Sequence, residues 1–80
     1  MPSPEEHRQA LGRAVRERRT ELGWSLNAAA REWGVRAAWL SRLERGEANP
    51  QLNRLTALAS AMDLSLPTLL RRAEALATRD

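Results

Sequence analysis

Eighty residues with 13 arginines, no lysine, ten acidic side chains and no cysteine allow one modest core, burying roughly 60 to 65% of the unfolded chain's surface, and exclude a disulfide framework or a thiolate site. The net charge of +3 favours a polyanionic partner over a membrane, because basic and acidic residues are interleaved and gather on no long amphipathic face. No stretch approaches the length of apolar residues a membrane span needs, and the opening Met-Pro-Ser-Pro-Glu-Glu has no basic segment leading into an apolar run, so a soluble, cytoplasmic chain forming one domain over residues 1 to 80 is expected.

In chain order the patterning gives five helices and no strand, an all-α chain. Ser3-Pro4-Glu5-Glu6 reads as a capping box with proline at the first helical position, and the helix it opens carries Leu11, Val15 and Leu22 before stopping at Gly23. Ser25 is the N-cap of a second helix, Leu26 to Trp33, with Gly34 where a left-handed C-terminal residue belongs. A third helix covers residues 37 to 45. Asn49-Pro50 marks a loop, after which Leu52, Leu55, Leu58, Ala59 and Met62 form the apolar stripe of a fourth. Ser65 caps a fifth, Leu66 to Ala77, which tolerates Pro67 in its first turn. The four glycines are assigned to helix ends, and Trp24 and Trp33 to the core.

The second and third helices are each too short to be stable alone, since a helix under about 12 residues is marginal in water. Ala29, Ala30 and Trp33 on one, and Leu40 and Leu43 on the other, supply inward faces hinged at Gly34-Val35, a spacing that suits a helix-turn-helix. The outer face of the third helix is left with Arg36, Ala37, Ala38, Ser41, Arg42 and Arg45, and is read as the working surface. Arg13, Arg16, Arg18 and Arg31 are assigned to solvated faces. His7 is the only histidine and has no cysteine or carboxylate cluster around it in sequence, so no catalytic constellation, metal site or cofactor is expected.

The run Leu40-Ser41-Arg42-Leu43-Glu44-Arg45-Gly46 followed by Asn49-Pro50, together with Leu11-Gly12, Val15-Arg16, Arg19, Leu22-Gly23, Ser25, Ala30 and Gly34-Val35, resembles the Cro/C1-type, or XRE, helix-turn-helix family of bacterial and phage regulators. The resemblance covers residues 11 to 70 and implies a five-helix lambda-repressor-like domain that binds double-stranded DNA and regulates transcription; the choice between repression and activation is left open. It implies base-reading positions at Arg36, Ala37, Ala38, Ser41 and Arg42, with a bidentate Arg42–guanine contact the strongest of them. Phosphate contacts are implied at Ser25, Arg45, Asn49 and the start of the fourth helix near Leu52. Arg19 and Glu44 fall where the family has an ion pair tying the first helix to the third.

The fifth helix repeats apolar residues at three- and four-residue intervals. Leu66, Leu70, Ala73 and Leu76 are therefore expected to form a homodimer interface, and a two-fold dimer implies an inverted-repeat target. Two residues depart from the family pattern. Leu26 stands where many members have glutamine, and Trp39 occupies a position that is partly exposed in the family. Together they leave a second expectation open: an apolar face at Leu26 and Trp39 that binds a protein in a toxin-antitoxin or other two-protein regulatory system.

Overall fold

The computed structural model describes residues 1–78; residues 79 and 80, included in the expected domain, lie outside the described residues. Five helices follow one another: α1 (Pro4–Glu21), α2 (Leu26–Trp33), α3 (Ala37–Glu44), α4 (Leu52–Ala61) and α5 (Leu66–Ala77), with no strand among the described residues. The third helix ends one residue before the expected boundary, with Arg45 as its C-cap.

Local chemistry accounts for the helix ends. Ser3 Oγ accepts from the Glu6 N–H and Glu6 accepts in return from the Ser3 N–H, closing the capping box around Pro4. The Ser3 N–H bond to the ionised carboxylate, with a smaller effect from the Ser3 side chain, holds the Glu6 pKa below the ordinary glutamate range. Ser25 caps α2 through the Ala28 N–H, and Ser65 caps α5 through the Thr68 N–H. Gly34 ends α2 at φ 70°, a left-handed conformation that costs a Cβ-bearing residue energy and costs glycine little.

Leu40, Leu43, Leu58, Leu69, Met62, Val15 and the alanines Ala10, Ala14, Ala29 and Ala59 form one core from all five helices. Truncating a buried leucine such as Leu40 in a core of this size costs about 2 to 5 kcal/mol. Trp33 is buried, whereas Trp24 is only half-buried, lying against Trp33 with ring centroids 6.1 Å apart. The Trp33 indole N–H has no partner among the described residues. α5 runs mainly along α1.

Three expectations are corrected. Gly12 is no helix-end glycine but lies inside α1, where a Cβ would sit 2.7 Å from the Glu44 carbonyl oxygen and closer still to that of Leu43; glycine is what lets α1 meet the end of α3. Arg13 and Arg18 are not merely solvated. Arg13 donates to the Leu76 carbonyl at 3.0 Å and Arg18 Nε to the Met62 carbonyl at 2.9 Å, so α1 satisfies carbonyls at the C-terminal ends of α5 and α4 that their own helices leave unpaired. In α5, Ala73 and Leu76 are 7% and 6% exposed. Because α1 covers that face, the apolar spacing there serves the chain's own core, and only Leu70, at 44%, is an exposed large apolar residue of the helix.

Candidate nucleic-acid interface

α3 is fixed before it is exposed. Leu40 and Leu43 are fully buried, and the helix end is clamped by Arg19, whose Nε and Nη2 reach the two Glu44 carboxylate oxygens at 2.7 and 2.9 Å while Nη1 donates to the Trp24 carbonyl at 3.1 Å. The side chains of this pair are only 15% and 7% exposed. The hydrogen bonds to Glu44 outweigh desolvation and raise the Arg19 pKa, so the guanidinium stays charged. A fork-to-fork bond of this kind sets orientation as well as distance.

The remaining face of α3 is presented by this anchoring. Arg36, Ala38 and Arg42 are exposed; Ala37 and Ser41 are half-buried, and Ala37 leans on the core. Neither Arg36 nor Arg42 makes a side-chain hydrogen bond or ion pair among the described residues. Arg45 differs. Its Nε and Nη2 each bond a Glu47 oxygen at 3.2 Å, and its Nη1 donates to Ser41 Oγ. The Arg45 bonds, with a smaller effect from Arg42, hold the Glu47 carboxyl below the ordinary range.

Around this face lie the other expected contacts. Ser25 uses its oxygen as the α2 cap, which leaves the hydroxyl proton free to donate. Asn49 is exposed and Leu52 is 66% exposed. α3 and α4 have no side-chain cap, their N-cap residues being Arg36 and Gln51, in contrast to the serine-capped α1, α2 and α5. Their first-turn N–H groups are therefore open to an anion.

Two residues that sequence reasoning passed over belong to this surface. Glu47 occupies Arg45. Arg54, in the first turn of α4, places its guanidinium carbon 4.1 Å from the centroid of the Trp39 ring. The signal for Arg54 was a cation at the positive end of a helix, where the dipole disfavours it. Leu26 and Trp39, expected as an open apolar face, are both half-buried against the core.

A short helix, a left-handed glycine and a clamped second helix with a basic outer face define a helix-turn-helix unit. The chain belongs to the helix-turn-helix family, whose model matches residues 15–69, and it has the five-helix, lambda-repressor-like architecture of the Cro/C1-type members. It is 34% identical over 61 residues to the HTH-type transcriptional regulator SinR of Bacillus subtilis, covering 75% of this chain and 55% of that protein; it thus spans about half the length of that curated relative. The clp gene regulator ClgR from Corynebacterium glutamicum superimposes with a TM-score of 0.80 at 32% identity, covering 86% of this chain and 88% of that one. The restriction-modification controller protein C.AhdI from Aeromonas hydrophila gives 0.70 at 31% identity, covering 76% and 92%. These relatives are named as regulators rather than enzymes. No helix among the described residues is long and apolar enough to cross a membrane.

Proposed function

We propose that this chain is a DNA-binding transcription regulator that acts in the cytoplasm as a homodimer on an inverted-repeat operator, with α3 in the major groove. The observation that carries the reading is the division of α3 into a locked inner face, Leu40 and Leu43, and an outer face whose cations Arg36 and Arg42 have no partner among the described residues. A guanidinium can bond guanine O6 and N7 together, discriminating by about 1 to 3 kcal/mol against the wrong base. Arg42 has that role, with Arg36 and the Ser41 hydroxyl beside it. The methyl groups of Ala37 and Ala38 can only pack, on thymine methyls.

Phosphates are held by the Ser25 hydroxyl, Asn49, and the open N–H groups at the start of α4 near Leu52. Arg45 joins them once phosphate replaces Glu47. In the dimer, Leu66 and Leu70 meet the partner, with Ala73 in the floor of a groove that also includes His7, Leu11, Pro50 and Leu55; Leu76 supports α5 from the core. Two α3 helices related by a two-fold axis then lie about 34 Å apart, one turn of DNA. The alternative of a protein partner at Leu26 and Trp39 lacks its motivating surface, since both lean on the core and Arg54 covers Trp39.

Selection of bound sequences from random duplex DNA tests the function. A palindromic consensus is expected, and no preference over bulk DNA would overturn it. Sedimentation tests the assembly: Leu70→Glu is expected to give a folded monomer with weakened operator binding, and an unchanged dimer would refute the α5 interface.

A further inference from the structure

A side-chain contact joins α4 to α3 beside the proposed DNA surface. The Arg54 guanidinium lies over the Trp39 indole at 4.1 Å from the ring centroid, close enough for a cation–π interaction. Trp39 is half-buried on the core, so its ring is a fixed platform; Arg54 is exposed and carries no hydrogen bond or carboxylate partner among the described residues. The stack neutralises no charge. It places the guanidinium over the ring and leaves its N–H groups free.

The position of Arg54 is electrostatically unfavourable in the free chain. It is the third residue of α4, whose first turn contains no acidic side chain and whose N-cap Gln51 makes no side-chain cap bond. A full positive charge thus stands beside the positive end of a helix dipole. An anion at this point would relieve the repulsion and satisfy both the fork and the open N–H groups. Arg45 offers a contrast, because Glu47 already holds its fork.

We propose that Arg54 is a backbone-phosphate contact of the DNA complex and that Trp39 is its positioning residue, holding the guanidinium in place between α3 and α4. The proposal rests on the DNA-binding reading above and adds to it a contact that couples the docking of α4 on the backbone to the placement of α3 in the groove. The ligand is the phosphodiester of duplex DNA. Trp39 then supports recognition from behind instead of touching bases.

The test measures binding of wild type, Arg54→Gln, Trp39→Phe, Trp39→Leu and the Arg54→Gln/Trp39→Leu double variant to a wild-type-selected duplex and to a random duplex across a salt series. Arg54→Gln removes one phosphate contact from each half of the proposed dimer, so it is expected to reduce the slope of log K against log salt by about 1.8 on both duplexes, and its deficit relative to wild type should shrink about twelvefold between roughly 50 and 200 mM salt. Trp39→Phe keeps an aromatic platform and should keep the wild-type slope. Trp39→Leu should reproduce part of the Arg54→Gln loss, and adding it to Arg54→Gln should cost little more, the mark of coupled residues. An unchanged slope for Arg54→Gln, or fully additive losses in the double variant, would overturn the proposal even where thermal stability shifts. If Trp39→Leu fails to fold by circular dichroism, the exposed Arg54→Gln variant decides by its slope alone. Wild type that binds no duplex would overturn the underlying DNA-binding reading and this one with it, a result distinct from binding that is indifferent to Arg54.

Discussion

Three arginines on α1 and three presented by α3 and α4 meet opposite fates. Arg13, Arg18 and Arg19 donate to the Leu76, Met62 and Trp24 carbonyls, and Arg19 also grips Glu44. Arg36, Arg42 and Arg54 bond to no carbonyl or carboxylate among the described residues. The first group satisfies carbonyls at the ends of α4 and α5 and in the turn before α2, and ties α1 to α3; the second is held out with its donors unused. The same side chain is tied into the scaffold, or left free for the proposed DNA contact, according to whether an acceptor has been supplied within the fold.

The comparison can be broken most forcefully at Arg19 and Glu44. Glu44→Ala should cost about 3 to 5 kcal/mol by leaving the Arg19 charge partly buried without its carboxylate. The Arg19→Met/Glu44→Leu double variant should recover most of that loss, as denaturant midpoints would show. A single variant no less stable than the double one would make the pair ornamental. Next is Gly12→Ala, expected to destabilise by about 1 to 3 kcal/mol despite alanine's better helix propensity, because the methyl meets backbone carbonyls that cannot rotate away. A stabilised Gly12→Ala would mean that α1 and the end of α3 can part freely.

The helix ends of this scaffold were legible because their causes are local. Ser3 with Glu6, Ser25, Ser65 and Gly34 each act within a few residues, and each terminates a helix where the sequence places it. Contacts between distant residues were not legible in the same way. Arg13 and Leu76 are 63 positions apart, Arg18 and Met62 44, and nothing local distinguishes these arginines from the exposed Arg16 and Arg31. Periodicity also has a limit: Ala73 and Leu76 lie on an apolar stripe, but a stripe names a face and not what covers it. For the same reason the resemblance points to the base-reading positions on α3, whereas the stacking of Arg54 on Trp39, 15 residues away, emerges only once the fold brings the two side chains together.

Smaller effects come from the exposed carboxylates that engage arginines. Glu47→Gln should release Arg45 and tighten DNA binding at low salt, and a variant that binds more weakly would show that Glu47 orients Arg45 for its contact. Glu21, bonded by Arg72 first and Arg18 second, has its pKa held below the ordinary glutamate range. Its contribution to stability is therefore present above that range and lost as pH falls through the depressed value. Thermal midpoints measured on acidification should fall less steeply for Glu21→Gln than for wild type; parallel profiles would contradict this.

The claim that α3 presents free arginine for sequence reading is tested most directly by comparing wild type and Arg42→Ala on the selected duplex and on random duplex at one salt concentration. The account predicts that Arg42→Ala loses about 1 to 3 kcal/mol per half-site on the selected duplex and much less on random DNA, with discrimination relaxed at one base pair per half-site. Equal losses on the two duplexes would make Arg42 a phosphate contact and contradict the account.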